Sequence, residues 1–413
     1  MTKKRKIIYI TIAAAIVIIA ALAIIFMPKA APQTVTEMLS TAQKYLVEMD
    51  YERAIAEFNK VIELDPMNAD AYLGLAEAYE KSGDIDKAVE TLEKGFELTG
   101  DEKLQARIAM LTSNGGVTVP NVSETEEFIT IKGEKYSTSA ISLDLSEQNL
   151  NDEDIKELYK MTNLEYLYLN DNQISDISAL SELKNLKELI FYDNKISDIS
   201  ALSGLTNLTG LYLQENQISD ISALSGLTNL TELALYNNEI SDISALSELT
   251  NLTMLGLNKN QISDISALSG LTNLTDLSLW GNQISDVSRL SKLTRLEELY
   301  LNENQISDIS ALSGLTNLTD LSLWENQISD ISSLSRLTNL TYLNLDLNQI
   351  SDVSALSGLS NLNELWIKEN PISEISTLSG LKNLTFLDLY ENPISESDIE
   401  SLKSALPNCE INY

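Results

Sequence analysis

Histidine is absent from the 413 residues of this chain, and Cys409 is its single cysteine. Without an imidazole, the chain cannot form histidine-dependent catalytic triads, histidine general bases or histidine-containing zinc sites. One cysteine excludes an intramolecular disulfide, and its position near the end of the sequence predicts a small, half-buried apolar residue. Paired carboxylates such as Asp276 and Glu298 are the remaining candidates for acid–base chemistry. We therefore expect a protein that is not an enzyme.

Positive charge is also scarce. The chain has 28 lysine and arginine residues against 61 aspartate and glutamate residues, which gives a formal net charge of −33 at pH 7. Such acidity disfavours nucleic acid as a partner, because a phosphate backbone is bound by basic side chains. It favours solubility or a basic partner. No residue pattern indicates a cofactor.

A long apolar run occurs once, from Ile7 to Met27, directly after the four basic residues 3–6. Twenty-one helical residues span about 31 Å, which matches the hydrocarbon core of a bilayer. Basic residues before the run place the amino terminus in the cytoplasm. Residues 1–33 are therefore predicted to be a basic stub and a transmembrane signal anchor, with the remaining chain extracellular. Cleavage near Ala30-Ala31 is the alternative, and it would give a secreted protein.

Residues 34–112 carry a period of thirty-four. The pattern Ala42, Tyr45, Tyr51, Ala54 and Phe58 returns as Ala76, Tyr79, Ile85, Ala88 and Leu92. Small residues at these spacings let paired antiparallel helices approach closely, and Pro66 separates the two units. This pattern resembles the tetratricopeptide repeat family. The resemblance implies an all-α unit that holds a peptide or associates with itself, and a stalk beside the bilayer is the alternative.

Residues 113–140 are predicted to be a linker and a capping hairpin. Gly115-Gly116 interrupts the helical pattern, and a polar segment follows. Phe128–Ile131, the turn Lys132-Gly133-Glu134 and Tyr136 then form a predicted strand–turn–strand unit that covers the first leucines of the next segment.

Residues 141–413 repeat every twenty-two residues. The period is marked by eleven asparagines, from Asn172 to Asn392, which follow the pattern Leu-x-x-Leu-x-Leu, with Phe191 and Ile367 in the last leucine position of two repeats. One repeat cannot bury its own leucines, so neighbouring repeats must stack. The pattern predicts an α/β solenoid of about twelve rungs with a curved parallel sheet. A helix over Ser397 to Leu406 and a strand over Cys409 to Tyr413 are predicted to close it.

Two polar columns of the repeat are predicted to be structural. The Asn172 column can bond buried backbone groups in the turn that leaves each strand. The column from Asp176 to Asp352, continued by Glu374 and Glu396, precedes Ile-Ser-x-Leu and can cap a short helical turn. A ladder of calcium sites is the less favoured interpretation of the same carboxylates.

The strand residues that alternate with the leucines are predicted to line the concave face of the solenoid. With the residue that follows each strand, they make forty-eight positions in twelve rungs, of which seventeen are acidic and only Lys259 and Lys368 are basic. Twelve of these positions are aromatic, and they include every tryptophan of the chain. The twelve predicted partner-binding residues are Tyr166, Tyr168, Tyr192, Tyr212, Tyr236, Trp280, Tyr300, Trp324, Tyr342, Trp366, Phe386 and Tyr390. Aromatic side chains among polar ones are typical of protein-binding hot spots, although they also stabilise exposed strands.

The unit from Ile218 to Leu235, which reads ISDISALSGLTNLTELAL, resembles the leucine-rich repeats of the internalin-type surface proteins of Gram-positive bacteria. The resemblance implies that concave aromatic residues bind a protein ligand, with Tyr212, Trp280, Tyr300, Trp324 and Trp366 on the matching columns. We expect a membrane-anchored extracellular recognition or adhesion protein. The alternatives are an envelope scaffold that links two protein partners through its two repeat units, and an intracellular protein like the phosphatase-regulatory leucine-rich repeat subunits.

Overall fold

The computed structural model describes residues 35–47, 51–82, 84–113 and 127–413, and these form two separate units, one on each side of residues 114–126. The predicted membrane segment lies outside the described residues. Within them, no helix combines the length and the apolar character needed to cross a bilayer.

The first unit contains five described helices: α1 Val35–Val47, α2 Tyr51–Leu64, α3 Ala69–Lys81, α4 Ile85–Thr99 and α5 Glu102–Ser113. Two of them begin at side-chain caps. Asn68 accepts a hydrogen bond from the Ala71 N–H at 3.0 Å, and Asp84 accepts one from the Lys87 N–H at 3.3 Å. Helix α4 ends at Gly100, whose φ of 67° is the left-handed conformation that glycine adopts at little cost.

Small residues allow these helices to pack closely, as the sequence predicts. Ala42, Ala54, Ala76 and Ala88 are all at most 1% exposed. Consecutive helices contact each other, and the third helix, α3, also contacts α1 and α5. The predicted tetratricopeptide-like arrangement of paired helices is therefore confirmed.

The second unit begins with an antiparallel hairpin, β1 Phe128–Ile131 and β2 Glu134–Ser137, which turns at Lys132 and Gly133. Ile129 and Ile131 are buried in the same core as the first leucines of the solenoid. The hairpin thus shields that end, as expected for a cap on an open stack of repeats.

The solenoid carries one strand in each rung, and the strands pair in parallel and in chain order. They are β3 Ser142–Asp144, β4 Tyr166–Tyr168, β5 Glu188–Ile190, β6 Gly210–Tyr212, β7 Glu232–Ala234, β8 Met254–Gly256, β9 Asp276–Ser278, β10 Glu298–Tyr300, β11 Asp320–Ser322, β12 Tyr342–Asn344, β13 Glu364–Trp366, β14 Phe386–Asp388 and β15 Glu410–Asn412. The predicted closing strand pairs with β14 in the same direction, so the sheet has thirteen strands, one more than the predicted number of rungs.

Short 3₁₀ turns return the chain from one strand to the next. A short helix, α6 Asp152–Ile155, takes this place in the first rung, and the predicted closing helix is α7 Glu396–Ala405. The leucines and isoleucines between these elements form one continuous core, with most side chains fully buried. Phe191 replaces a leucine in one rung and is also fully buried.

The repeated asparagine side chains connect neighbouring rungs. The Asn304 Nδ2 donates to the backbone oxygens of Leu279, Leu301 and Asn302 at 3.0–3.1 Å, and its Oδ1 accepts from the Ile284 N–H at 2.9 Å. The same set of bonds recurs along the column. It satisfies backbone groups that would otherwise be buried without partners, which confirms the structural prediction for this column.

The repeated aspartates cap the 3₁₀ turns. Asp308 accepts a hydrogen bond from the Ser310 N–H at 2.8 Å, and Asp198, Asp220 and Asp330 make the equivalent bond. This backbone hydrogen bond lowers the pKa of each of these carboxyl groups. The predicted capping function is therefore confirmed for the aspartates of the column, whereas Glu396 begins α7, which is capped by Ser395.

Candidate functional site: the concave face of the solenoid

The concave face is defined here by four positions in each rung. Three of them alternate with the leucines, and the fourth is the residue that follows the third. The first and second positions lie at the two ends of each strand, and the third lies two residues beyond the strand. Leucines occupy the alternating positions and point into the core. Because the strands pair without slippage, each position forms a straight column along the sheet. At about 4.8 Å per strand, twelve rungs give a face roughly 55 Å long.

The residue after the third position has a positive φ in every rung from Glu147 to Glu391. These φ angles lie between 49° and 67°, and Gly281 is the only glycine among them. A residue with a side chain pays about 1–2 kcal/mol for this left-handed conformation. The turn thus bends the chain away from the sheet at the same point of each rung, directly after the third position.

Eleven of the twelve predicted aromatic residues are partly or fully accessible on this face. Tyr390 is the most exposed at 47%, and all three tryptophans are half-buried. Tyr166 differs from the prediction, because its exposed fraction is only 5%. It lies on β4 between Ser142 on β3 and Glu188 on β5, close to the capped end of the sheet. Its ring is therefore covered and offers a partner little contact area.

The third column alternates between aromatic residues and short polar ones from Asn170 to Asp346. The aromatic residues in it are Tyr192, Tyr236, Trp280 and Trp324. The polar residues between them are only 4–8% exposed, and they are Asn170, Gln214, Asn258, Asn302 and Asp346. Gln214, Asn258 and Asn302 are thus flanked by larger rings of both adjacent rungs, whereas Asn170 follows Ser146 and Asp346 precedes Lys368 in the column. The result is a row of aromatic ridges separated by buried polar groups.

Carboxylates accept hydrogen bonds from two of the aromatic residues. Glu298 accepts a hydrogen bond from the Tyr300 hydroxyl at 3.0 Å, and Glu232 accepts one from the hydroxyl of Tyr212. Burial raises the pKa of both tyrosines, and the adjacent glutamates add to the increase. In the middle of the face, the Lys259 ammonium lies 4.7 Å from the centre of the Trp280 ring. These contacts fix the orientation of the rings before any partner binds.

The carboxyl-terminal third of the face contains a concavity of about 260 Å³. It is lined by Trp324, Tyr342, Asn344, Asp346, Leu347, Trp366 and Lys368. The Trp366 ring also packs on Phe386 with their centres 4.5 Å apart. The Trp366 indole N–H is buried and has no hydrogen-bond partner among the described residues.

The carboxylate pair considered for catalysis, Asp276 and Glu298, occupies neighbouring strands in register. Burial has the largest influence on the pKa of Glu298 and raises it, whereas the hydrogen bond from the Tyr300 hydroxyl lowers it. Asp276 accepts a hydrogen bond from the Thr275 hydroxyl at 2.6 Å. Both groups are therefore engaged in hydrogen bonds within the face.

Asp346 was not among the predicted partner-binding residues. It is the only carboxylate in the third column, where the equivalent residues are amides. The departure from the amides at the equivalent positions was the available signal, and the neighbouring residues of the column are Trp324 and Lys368. At the other end of the chain, the predicted half-buried state of Cys409 is confirmed, and burial raises the pKa of its thiol to about 11.

The fold and this face define a leucine-rich repeat solenoid. Models of leucine-rich repeats match residues 160–181, 184–314, 316–358 and 360–404, and a tetratricopeptide repeat model matches residues 46–113. The chain belongs to the leucine-rich repeat family, and its repeats are of the internalin type. No curated protein was found to match it.

Three solved structures illustrate the relationship. Internalin InlF of Listeria monocytogenes is 37% identical, with a TM-score of 0.60 over 68% of this chain and 89% of that one. The functional domain of InlJ from the same organism is 25% identical, with a TM-score of 0.57 over 68% and 65% of the two chains. The plant peptide hormone receptor RGFR1, in complex with RGF2, is 31% identical, with a TM-score of 0.53 over 58% and 42%.

Proposed function

We propose that this protein is a membrane-anchored extracellular receptor or adhesion protein that binds a protein partner on the concave face of its solenoid. The observation that carries the proposal is the concentration of accessible, pre-oriented aromatic side chains on one acidic face. Tryptophan and tyrosine provide large contact areas at low entropic cost. The plant relative captured with a peptide hormone supports a peptide or protein ligand for a solenoid of this kind. The apolar run at residues 7–27, preceded by basic residues, supports the anchor.

The partner is expected to be basic where it contacts the face. Seventeen acidic and two basic residues occupy the forty-eight lining positions. A positive surface would therefore be attracted during approach and would avoid like-charge contacts once bound. A nucleic acid would be repelled by this face, because its phosphate backbone is negatively charged.

The direct test is the simultaneous change of Trp280, Trp324 and Trp366 to Ala. The full chain, immobilised, would be used to capture partners from cell-envelope and host extracts, and circular dichroism would check that the solenoid remains folded. We expect the triple variant to lose the partner that the natural chain retains. A matched control changes Glu248, Arg289 and Arg336 to Ala, since these exposed residues lie in the return segments. Equal capture by both variants would contradict the proposed site.

One observation favours the second candidate, an envelope scaffold with a second partner at the helical repeats. The helical unit contains a separate concavity of about 200 Å³, whose lining includes Tyr72, Tyr79, Lys87, Glu90 and Lys94. Aromatic and basic side chains together suit an acidic peptide. Changing Lys87 and Lys94 to Ala should remove such a partner and leave solenoid binding intact, which a two-partner capture experiment measures.

A further inference from the structure

Asp346 departs from the chemistry of its column. At the equivalent positions of earlier rungs the third column carries Asn170, Gln214, Asn258 and Asn302, all neutral and all at most 8% exposed. Asp346 is even less exposed, at 4%. An amide at this position would serve the stability of the rung, as it does elsewhere, because it carries no charge to desolvate. Packing alone therefore does not account for a carboxylate at this position.

Only one oxygen of this carboxylate has a protein partner. Asp346 Oδ1 accepts a hydrogen bond from the Lys368 N–H at 2.8 Å, and the Asp346 N–H is in turn bonded to Asn344 Oδ1 at 3.0 Å. No described residue donates to the second oxygen. Although the Lys368 side chain also lines the concavity, its ammonium forms no ion pair within the described chain. The negative charge is thus held in place and is not neutralised by a direct salt bridge.

Aromatic rings line the same concavity as the carboxylate. Trp324, Tyr342 and Trp366 line the same concavity, from three consecutive rungs, and Asn344 and Trp366 are directly paired across β12 and β13. A ring face attracts a cation within about 6 Å of its centre, and tryptophan does so most strongly. A buried anion beside such rings favours a cationic group over a neutral or an acidic one.

We propose that the concavity formed by Trp324, Tyr342, Asp346 and Trp366 receives a lysine or arginine side chain of the bound protein partner. This inference rests on the proposed function, and it identifies the chemistry by which one part of the face recognises its partner. The volume of about 260 Å³ admits a single side chain rather than a folded segment. The acidic residues of the remaining face favour basic partners in general, whereas this site selects where one cation binds.

The ionisation of Asp346 gives the interaction a pH dependence. Burial raises the pKa of this carboxyl to about 6, and its bond to the Lys368 N–H lowers it less. The charged groups around it are Lys368 and Glu369 from the next rung, Asp388 from the rung beyond and Glu325 from the preceding one. Tyr342 contributes the nearby phenol. As the pH falls below about 6 the carboxylate becomes protonated, so the attraction for a cation must weaken.

The test uses the full chain and short acetylated peptides in which a central lysine, arginine or norleucine is flanked by glycines. Norleucine has the length of the lysine stem without its charge. Tryptophan fluorescence reports binding, because Trp324 and Trp366 line the concavity and only Trp280 lies elsewhere on the chain. We expect the lysine and arginine peptides to change the fluorescence at neutral pH, more weakly at pH 5, and the norleucine peptide to have no effect.

The variant Asp346→Asn separates charge from packing, since it restores the residue type found in neighbouring rungs and should fold at least as well. We expect it to weaken binding of the lysine peptide about tenfold or more. Glu248→Gln, which removes an exposed charge in a return segment, is the matched control and should bind like the natural chain. An equal response to lysine and norleucine, or full binding by Asp346→Asn, would overturn the cation site. Neither result would affect the capture test with the three tryptophans, whose outcome decides the proposed function separately.

Discussion

At the level of single residues, chemically similar side chains have different functions in this protein. Asn304 joins neighbouring rungs through its amide, whereas Asn317 bonds only the Thr294 oxygen at 2.8 Å and is exposed. Asp308 caps a turn at the surface, whereas Asp346 is buried beside aromatic rings. The surroundings of each group, rather than its type, decide what its removal would cost.

Asn304→Ala should lower the free energy of unfolding of the solenoid by about 2–4 kcal/mol, because the Ile284 N–H and nearby carbonyl groups would remain buried without their partner. Urea denaturation followed by tryptophan fluorescence measures the change. The matched control, Asn317→Ala, should cost less than about 1 kcal/mol, since water can replace its exposed bond. Similar losses of stability in both variants would show that a residue of the Asn172 column contributes no more to the stability of the solenoid than an exposed asparagine does.

Asp346→Asn should increase stability at neutral pH. The pKa of Asp346 in the folded chain is about 6, above its ordinary value of 3.8. The folded state therefore binds the proton more tightly than the unfolded state, and the ionised carboxylate destabilises the fold at higher pH. We expect a gain of about 1–2 kcal/mol at pH 7.5, after allowing for partial solvent screening.

The gain should diminish as the pH falls through about 6 and should disappear below about 4, where both states carry the protonated acid. Urea denaturation of the natural chain and the variant, at about pH 7.5 and below about pH 4, measures the two free energies of unfolding to be compared. A loss of stability at neutral pH would show instead that the carboxylate is compensated within the protein, by Lys368 in particular.

At the element scale, the helical unit depends on close approach between helices. An added methyl group at Gly95 on α4 would lie 2.6 Å from Cγ and 2.8 Å from Cβ of Tyr72 on α3. Tyr72 is only 1% exposed, and these atoms lie at the fixed base of its side chain. The contact leaves no room for adjustment without movement of a helix.

Gly95→Ala should therefore destabilise the helical unit by about 1–3 kcal/mol through overpacking, although alanine favours a helix more than glycine does. Calorimetry of the full chain would register the change as a lower melting temperature of the helical transition. Gly226→Ala provides the control, because an added methyl group there has no neighbour within 4 Å. If Gly95→Ala raised the melting temperature, helix propensity would outweigh packing at this contact.

The elements themselves were largely predictable from the sequence. The periods of thirty-four and twenty-two residues indicated the helical pairs and the solenoid, and the capping hairpin, closing helix and closing strand followed from breaks in those periods. The exposure of individual face residues was not predictable. Alternation along a strand assigns Tyr166 to the concave side, but only the adjoining rungs determine that its ring is covered. Likewise, the burial of Asp346 depends on rings contributed by three rungs, which a period alone does not reveal.

At the scale of the whole molecule, charge should govern the rate of association. The acidic concave face attracts a basic partner over distances comparable with the Debye length, which is about 10 Å at 0.1 M ionic strength and shorter at higher salt. We expect the association rate constant to fall about tenfold between low and high salt, with a smaller change in the dissociation rate constant. Surface plasmon resonance with the captured partner measures both constants. A rate that rose with salt would indicate that apolar contact, rather than charge, guides the approach.

Oxidative footprinting of the full chain, with and without the captured partner, determines whether that partner contacts the concave face. Hydroxyl radicals label accessible tryptophan and tyrosine side chains, and mass spectrometry locates each label. We expect partner binding to protect Trp280, Trp324 and Trp366 while Tyr159 and Tyr413, which lie off the face, remain equally labelled. Unchanged labelling of the three tryptophans, with protection confined to the return segments or the helical unit, would contradict the proposed contact with the concave face.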